Sequence, residues 1–173
     1  MPAIATTAQA CGTKLPLRAC VGIMMINRYG QVWLGRRAPK WFGPEALPIW
    51  QMPQGGIDRG EAPVEAAFRE LEEETGAMSV ELIGEVDDWL TYELPSDLLG
   101  IALKGRYRGQ KQRWFAMRFY GPDAEIDIGP RNGHKAEFDA WRWADLDEAP
   151  LRVPSFKRGL YETVIGELGP LVR

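Results

Sequence analysis

The sequence contains few of the residues on which several large enzyme classes depend. Its 173 residues include one histidine, His134, and two cysteines, Cys11 and Cys20, which do not form a C-x-x-C pair. A single histidine excludes sites built from several histidines, such as most catalytic zinc centres. Two cysteines at this spacing indicate no disulfide framework, so we expect a cytoplasmic protein. We expect Cys20 to be a small buried residue and Cys11 to lie in a terminal tail.

The sequence also has no long apolar run. The most obvious one, Val21 to Ile26, is far shorter than the ~20 residues of a transmembrane helix. The first residues have neither a basic start nor a long apolar stretch, so we expect neither a secretory signal nor a membrane partner. With 45% hydrophobic residues, the chain can bury one core. We predict a flexible tail at residues 1–13 and a single domain at 14–173. We expect a monomer, although an oligomer is also compatible with the sequence.

Net charge is also small, at −3, which argues against a chain that binds DNA through its overall charge. The charges are unevenly distributed, however. Residues 58–74 contain seven acidic residues against two arginines, whereas residues 104–113 contain five basic residues and no acid. One small domain therefore contains a strongly acidic and a strongly basic segment.

Patterns of strands and helices predict an α/β fold with a mixed sheet flanked by helices. Strands are predicted at 19–27 and 31–37 as a hairpin, and at 49–52, 80–94, 113–120 and 138–143. A glycine-rich loop at 54–61 precedes a helix at 63–75, in which Val64, Ala67, Phe68 and Leu71 mark the buried face. A second helix is predicted at 154–168. Strands interrupted by two helices indicate helices on both faces of one sheet.

Three carboxylates on the first helix share one face. Glu70, Glu73 and Glu74 stand at i, i+3 and i+4, a spacing that brings their side chains together. A solvated acidic face is one interpretation of this pattern. The glycine-rich loop favours another, because carboxylates and backbone carbonyls are the ligands of Mg²⁺ and Mn²⁺.

This loop and helix resemble the Nudix box. Gly55 is followed by five residues, Glu61, seven residues and then RELEEETGA at 69–77, and only Ala77 is smaller than the aliphatic residue of that pattern. The resemblance implies a Nudix α/β/α sandwich that hydrolyses nucleoside diphosphates linked to another group. It implies one or more divalent ions, Mg²⁺ or Mn²⁺, held by Glu70, Glu73, Glu74 and the Gly55 carbonyl. Arg69 would orient Glu73, and Glu61 and Gly76 would shape the loop.

Four further segments resemble one Nudix branch, which includes bacterial RNA 5′-pyrophosphohydrolases and plant-type dinucleoside polyphosphate hydrolases. They are WQMPQGGI at 50–57, GQKQRWF at 109–115, AEFDAWRW at 136–143 and VPSFKR at 153–158. The match implies a further metal ligand or catalytic residue, Glu137. It also implies substrate contacts by Arg18, Arg37, Lys111, Gln112, Phe156 and Lys157.

The resemblance implies a metal-dependent pyrophosphohydrolase that acts on the triphosphorylated 5′ end of RNA. Asymmetric hydrolysis of dinucleoside polyphosphates, such as diadenosine tetraphosphate, is the alternative. In favour of that alternative, the loop at 38–48 is longer than the one expected in the RNA 5′-pyrophosphohydrolases, and its Trp41 and Phe42 could stack a second base. The other interpretation of this aromatic pair is that it packs on the core. A catalytically inactive binding module would not need the intact carboxylate set. The sequence leaves Glu70, Glu73 and Glu137 as candidates for the general base.

Overall fold

A mixed β-sheet lies at the centre of the protein. The structure, a computed structural model, describes residues 15–37 and 47–172. The predicted tail, Cys11 and the aromatic pair Trp41 and Phe42 lie outside these residues. The described strands are β1 (Leu17–Ile26), β2 (Val32–Arg37), β3 (Ile49–Gln51), β4 (Gln54–Gly56), β5 (Val80–Glu85), β6 (Leu90–Glu93), β7 (Gly109–Phe119) and β8 (Ala140–Ala144).

Strands β1 and β7 form the middle of the sheet and run parallel from the pair Leu17–Gly109 to the pair Ile26–Arg118. The sheet order is β3-β2-β1-β7-β5, while β4 pairs with β1, β6 with β7 and β8 with β2. Both faces of β1 are buried from Cys20 onward, as expected for a central strand covered on both sides. The predicted hairpin of β1 and β2 is confirmed.

Helices cover both faces of this sheet. They are α1 (Pro63–Thr75), α2 (Ala149–Arg152) and α3 (Ser155–Leu168), with short 3₁₀ turns at Ala102–Gly105, Asp123–Glu125, Leu146–Glu148 and Gly169–Leu171. On one face α1 packs its Leu71 against Ile23 and Phe115. On the other, α3 packs against Met24 and Trp114. The predicted α/β class with helices on both sides is confirmed. None of the described helices is both long and apolar enough to cross a membrane.

Helix α1 begins and ends as the sequence predicts, but its buried face differs in part. Pro63 occupies the first turn, and Gly76 ends the helix with a left-handed φ of 73°. Ala67 and Leu71 are buried as predicted and Val64 is half-buried, whereas Phe68 is 39% exposed and Ala66 takes a core position. The prediction that Phe68 is a buried residue was therefore wrong, since the small side chains of Ala66 and Ala67 fill the core positions at this level of the helix.

Two strands differ from the prediction because polar residues form them. The first part of the predicted glycine-rich loop is strand β4, which pairs with β1 from Cys20–Gly56 to Gly22–Gln54. Strand β7 begins at Gly109, before the apolar residues that predicted it. Its early residues Gln110 and Gln112 are buried and bonded to each other, Nε2 of Gln112 donating to Oε1 of Gln110 at 2.8 Å. Glutamines that satisfy each other give no apolar periodicity, so sequence reasoning begins the strand too late.

Candidate active site

An open cleft of about 720 Å³ lies where β4 and the second half of α1 meet the connection between β6 and β7 and the first turn of α3. One part of its lining is acidic and another is basic. The acidic residues among those predicted are Glu70, Glu73, Glu74 and Glu137. The basic ones are Arg18, Arg37, Arg69 and Lys157, and Gly55 and Phe156 complete the predicted residues that line the cleft.

Gly55 and Glu70 are in very close contact. A Cβ atom at position 55 would lie 2.0 Å from the carboxyl carbon of Glu70, so a side chain there would push this carboxylate away. Gly56 has the same relationship to Arg18, whose Nη2 would lie 2.5 Å from an added Cβ. Both glycines therefore let backbone and charged side chains approach each other at the floor of the cleft. Burial raises the pKa of Glu70.

Glu74 is the most buried of the four glutamates. Its Oε2 accepts a hydrogen bond from the backbone N–H of Gln54 at 3.2 Å, which ties α1 to β4. Burial, followed by the nearby charges of Glu70 and Glu137, raises the pKa of Glu74 well above its usual range. A buried carboxylate crowded by two others favours either a proton or a cation beside it.

Arg69 connects the acidic side chains to the loop. Its Nε and Nη2 donate to the two carboxylate oxygens of Glu61 at 2.8 and 2.9 Å, and Nη2 also donates to the carbonyl of Gly56 at 2.8 Å. Its Nη1 donates to Oε1 of Glu70 at 2.9 Å and lies 3.3 Å from Oε2 of Glu73. The hydrogen bonds from Arg69 lower the pKa of Glu61 to about 2. One guanidinium thus fixes the loop and two cleft carboxylates.

Glu73 and Glu137, the other two predicted glutamates of the cleft, lie beside His134 and Arg37. Oε1 of Glu73 lies 3.7 Å from Nε2 of His134, and Oε2 of Glu137 lies 3.6 Å from Nη2 of Arg37. Glu137 comes from the segment before β8, far along the chain from α1. The fold therefore brings the distal glutamate to the same cleft as the helix glutamates.

These carboxylates supply hard oxygen donors, the kind that Mg²⁺ and Mn²⁺ prefer. Within residues 15–37 and 47–172, no three acidic, histidine or cysteine side chains already converge on one point as metal ligands do. Arg69 instead takes hydrogen-bonding positions on Glu70 and Glu73. The donor set fits a hard divalent cation because Glu74 is buried and crowded by Glu70 and Glu137, and a cation would relieve that repulsion.

The basic part of the cleft is built around Lys157. Its side chain is buried, and burial together with the charge of Arg37 lowers its pKa to about 8. Its Nζ lies 5.1 Å from the ring centre of Tyr92, within cation–π distance. An anion in the cleft would therefore meet a poorly solvated ammonium group, which binds phosphate more strongly than a solvated one.

Phe156 is half-buried between the hydrophobic core and the cleft. One side packs against the core under α3, and its ring centre lies 5.6 Å from that of Tyr92. Another side lines the cleft. Phe156, which the resemblance implies as a substrate contact, therefore lines the cleft and also packs on the core.

Lys111 and Gln112, which the resemblance implies as substrate contacts, do not line the cleft. Nζ of Lys111 lies 5.0 Å from the ring centre of Trp89, and along β7 its side chain alternates with that of Gln110, which lines the cleft. Gln112 is buried, and it donates to Oε1 of Gln54 at 3.3 Å and accepts from Nε1 of Trp114 at 2.8 Å. It supports the cleft floor from behind. Glu61 and Gly76 also lie outside the lining.

Sequence reasoning missed several residues that line the cleft. Gln110 precedes the predicted Lys111, so the two-residue period of β7 could have indicated that only one of them faces the site. No sequence pattern indicated that Tyr92 lines the site. The single histidine, His134, only excluded sites built from several histidines. Lys135 lies two residues before Glu137. The lining residues that the sequence did not indicate include Tyr92, Lys104, Gln110, His134 and Lys135.

Comparison with known families gives a match over most of the chain. The family model described as the NUDIX domain matches residues 16–164. An RNA pyrophosphohydrolase of Rhizobium meliloti (strain 1021) is 54% identical over 164 residues, which are 92% of this chain and 97% of that protein. An RNA pyrophosphohydrolase of Mesorhizobium japonicum is 51% identical over 162 residues, 92% of this chain and 94% of that protein.

Solved structures agree with this match at the level of the fold. The dihydroneopterin triphosphate pyrophosphohydrolase of E. coli superposes with a TM-score of 0.60 at 21% identity, over 89% of this chain and 99% of that one. An Ap4A hydrolase of C. elegans, in a binary complex, superposes with a TM-score of 0.57 at 16% identity, over 87% of this chain and 98% of that one. The α/β/α arrangement is thus shared at low sequence identity.

Proposed function

This chain belongs to the Nudix hydrolase family, whose members act on phosphoanhydride bonds and generally use divalent metal ions, and from that premise we propose that it removes pyrophosphate from the triphosphorylated 5′ end of RNA. The RNA pyrophosphohydrolases that resemble it at 51–54% identity support this substrate. The observation on which the proposal rests is the cleft that joins four glutamates to Arg18, Arg37 and Lys157.

The proposal assigns the metal to the acidic part of the cleft. Glu70, Glu73, Glu74 and Glu137, with the carbonyl of Gly55, would hold Mg²⁺ or Mn²⁺. A divalent ion held there would supply positive charge against the phosphate oxygens and would lower the pKa of a water molecule. Arg69 positions Glu70 and Glu73 through its bonds at 2.9 and 3.3 Å and does not itself meet the substrate in this assignment.

The basic part of the cleft would bind the phosphate chain. Arg18, next to Gly56, and Lys157, next to Tyr92, would place positive charge against its oxygens. Arg37, paired with Glu137 at 3.6 Å, would exchange that partner for phosphate. The reaction is attack of water on one phosphorus, with cleavage of a phosphoanhydride P–O bond, release of pyrophosphate and retention of a 5′-monophosphate. One of Glu70, Glu73 and Glu137 would accept the proton of that water.

The aromatic part of the cleft would hold the first bases. Phe156 is half-buried and lines the cleft next to the buried Tyr92 and Lys157, and base–ring stacking contributes about 1–3 kcal/mol per base. A chain of nucleotides needs an open exit, and the cleft is open to solvent. The monomeric state and the cytoplasmic location expected from the sequence belong to the same proposal.

A direct comparison of two substrates tests it. At one fixed Mg²⁺ concentration we expect kcat/KM for triphosphorylated RNA to exceed that for diadenosine tetraphosphate by at least about tenfold, equivalent to ~1.4 kcal/mol. Chelator should abolish both activities, and Mg²⁺ or Mn²⁺ should restore them. A higher kcat/KM for diadenosine tetraphosphate would replace this proposal with the dinucleoside polyphosphate alternative.

A further inference from the structure

The connection between β6 and β7 forms a cleft wall that no motif in the sequence accounts for. It includes the 3₁₀ turn at Ala102–Gly105, and Ala102, Leu103 and Lys104 line the cleft. Ala102 is buried, Leu103 is half-buried against the core, and Lys104 is exposed. The turn is therefore anchored from below and presents one cation at the rim.

The backbone of this turn adopts a conformation that non-glycine residues rarely take. Leu103 has φ 54° and ψ 38°, and Lys104 has φ 57° and ψ 22°, so the backbone of two consecutive non-glycine residues is left-handed. Gly100 and Gly105 flank them with φ of 80° and 69°. A Cβ at Gly105 would lie 2.8 Å from the carbonyl oxygen of Gly100, so the ends of the turn touch.

This strain has a consequence for the side chain of Lys104. Left-handed conformations at non-glycine residues cost free energy, and they occur frequently at ligand-binding sites, where the surrounding structure maintains them. Here the closed turn and the anchored Leu103 fix the direction in which Lys104 leaves the backbone. None of the described carboxylates forms an ion pair with Lys104.

Lys104 differs in exposure from Lys157 and Arg37, and it shares its exposure with Arg18 and Lys135 among the cations that line the cleft. Lys157 is buried and Arg37 is three-quarters buried, at 25% side-chain exposure, so both suit phosphates deep in the cleft. Lys104 is exposed at the rim, on the wall whose Leu103 packs against the same core cluster as Tyr92 and Phe156. Lys104 therefore offers positive charge to a phosphate at the exposed rim of the cleft, beside the wall that Leu103 forms.

We propose that Lys104, presented by the left-handed turn at Leu103–Lys104, binds the phosphodiester that follows the first nucleotide of an RNA substrate and so selects polynucleotides over mononucleotides. This inference rests on the proposed RNA substrate. A nucleoside triphosphate has no such phosphodiester, and a dinucleoside polyphosphate has none on its ribose. The contact would thus contribute to binding of RNA alone.

The test uses the full chain with Mg²⁺ and two substrates, a triphosphorylated oligoribonucleotide and a nucleoside triphosphate. Lys104→Ala should raise KM for the RNA by roughly five- to tenfold, with kcat and KM for the nucleoside triphosphate unchanged. Lys104→Arg should retain wild-type KM. Arg106→Ala, which removes an exposed cation of the same segment outside the cleft lining, should behave as wild type.

Two further measurements separate the charge from the turn. An RNA whose first internucleotide linkage is an uncharged methylphosphonate should bind the wild type as weakly as natural RNA binds Lys104→Ala. The Lys104→Ala variant should bind the methylphosphonate RNA and the natural RNA equally well. Lys104→Gly should lose the same affinity while its melting temperature rises, because glycine adopts φ 57° without strain.

The outcomes distinguish this inference from the proposed function. If wild type cleaves triphosphorylated RNA but Lys104→Ala leaves its KM unchanged, or raises KM equally for both substrates, the inference is wrong and the function stands. If wild type does not cleave triphosphorylated RNA, both are overturned.

Discussion

The guanidinium of Arg69 and the carboxylate of Glu61 form a paired hydrogen bond, with N–O distances of 2.8 and 2.9 Å. The same guanidinium reaches the carbonyl of Gly56 and the carboxylate of Glu70. Since the hydrogen bonds from Arg69 hold the pKa of Glu61 at about 2, the pair stays ionised at any pH at which the enzyme would be assayed. The loop before α1 is therefore fixed by a connection that ordinary pH changes do not disturb.

The first prediction concerns this connection. Arg69→Lys should lower the free energy of unfolding by about 1–3 kcal/mol, because a lysine cannot serve Glu61, Gly56 and Glu70 together. It should also lower kcat, since Glu70 and Glu73 lose their positioning. Chemical denaturation and steady-state kinetics measure the two effects. Arg59→Lys, an exposed change in the same loop, is the control and should alter neither.

The second prediction concerns Glu74. Glu74→Gln should cut kcat at least ~100-fold, the scale of losing one preorganised charge at a transition state. In the metal-free protein it should raise the melting temperature, because it removes a buried charge next to Glu70 and Glu137. Glu72→Gln, on the same helix but outside the cleft lining, provides the control.

The pH dependence of stability gives Glu74 a separate signature. Its folded-state pKa is raised, so this group favours folding below its unfolded pKa of about 4.3, and that contribution is lost as pH rises through the folded pKa. Melting temperatures of metal-free wild type should therefore fall more steeply with rising pH than those of Glu74→Gln. Parallel profiles, or full activity in the variant, would show that Glu74 is only a helix charge.

The third prediction concerns Lys157. Its pKa is lowered to about 8, so the ammonium loses its proton as pH rises through that value, and phosphate binding weakens. The kcat/KM for RNA of wild type relative to Lys157→Arg should therefore fall between pH 7 and 9, because arginine stays charged. Thermal unfolding checks that the variant is folded. A ratio that does not change with pH would remove Lys157 from phosphate binding.

Helix α1 and its glutamates could be predicted from the sequence because the signals are local. Pro63 and Gly76 mark its ends, and the spacing of the glutamates fixes their common face. Glu137 had no local signal, since only the fold brings it to α1, and its position was available through resemblance alone. Phe68 was misplaced because apolar spacing does not show that the small Ala66 takes a core position at its level of the helix.

The cleft walls were less predictable than its floor. In β7 the side chains of Gln110 and Lys111 must point to opposite faces, but the sequence does not state which face holds the site. Leu103 and Lys104 carry no mark of their left-handed conformation, because it is imposed by the closure of Gly105 on Gly100 and by the anchoring of Leu103 in the core. Such features arise from tertiary contacts and not from local preference.

The last prediction concerns the two environments of Phe156. Phe156→Ala should weaken binding of triphosphorylated RNA by about 1–3 kcal/mol, the contribution of one stacked base. Its cost in stability should stay below the ~3–5 kcal/mol of a fully buried phenylalanine, because one side of the ring faces the cleft. Leu160→Ala, one turn along α3 at a residue only 7% exposed and outside the cleft lining, is the matched control. Leu160→Ala should lower the free energy of unfolding more per side-chain atom removed than Phe156→Ala does, and it should leave the affinity for RNA unchanged. Melting temperature measured beside Kd for each variant separates the two roles, and a large drop in melting temperature with unchanged affinity would assign Phe156 to the core alone.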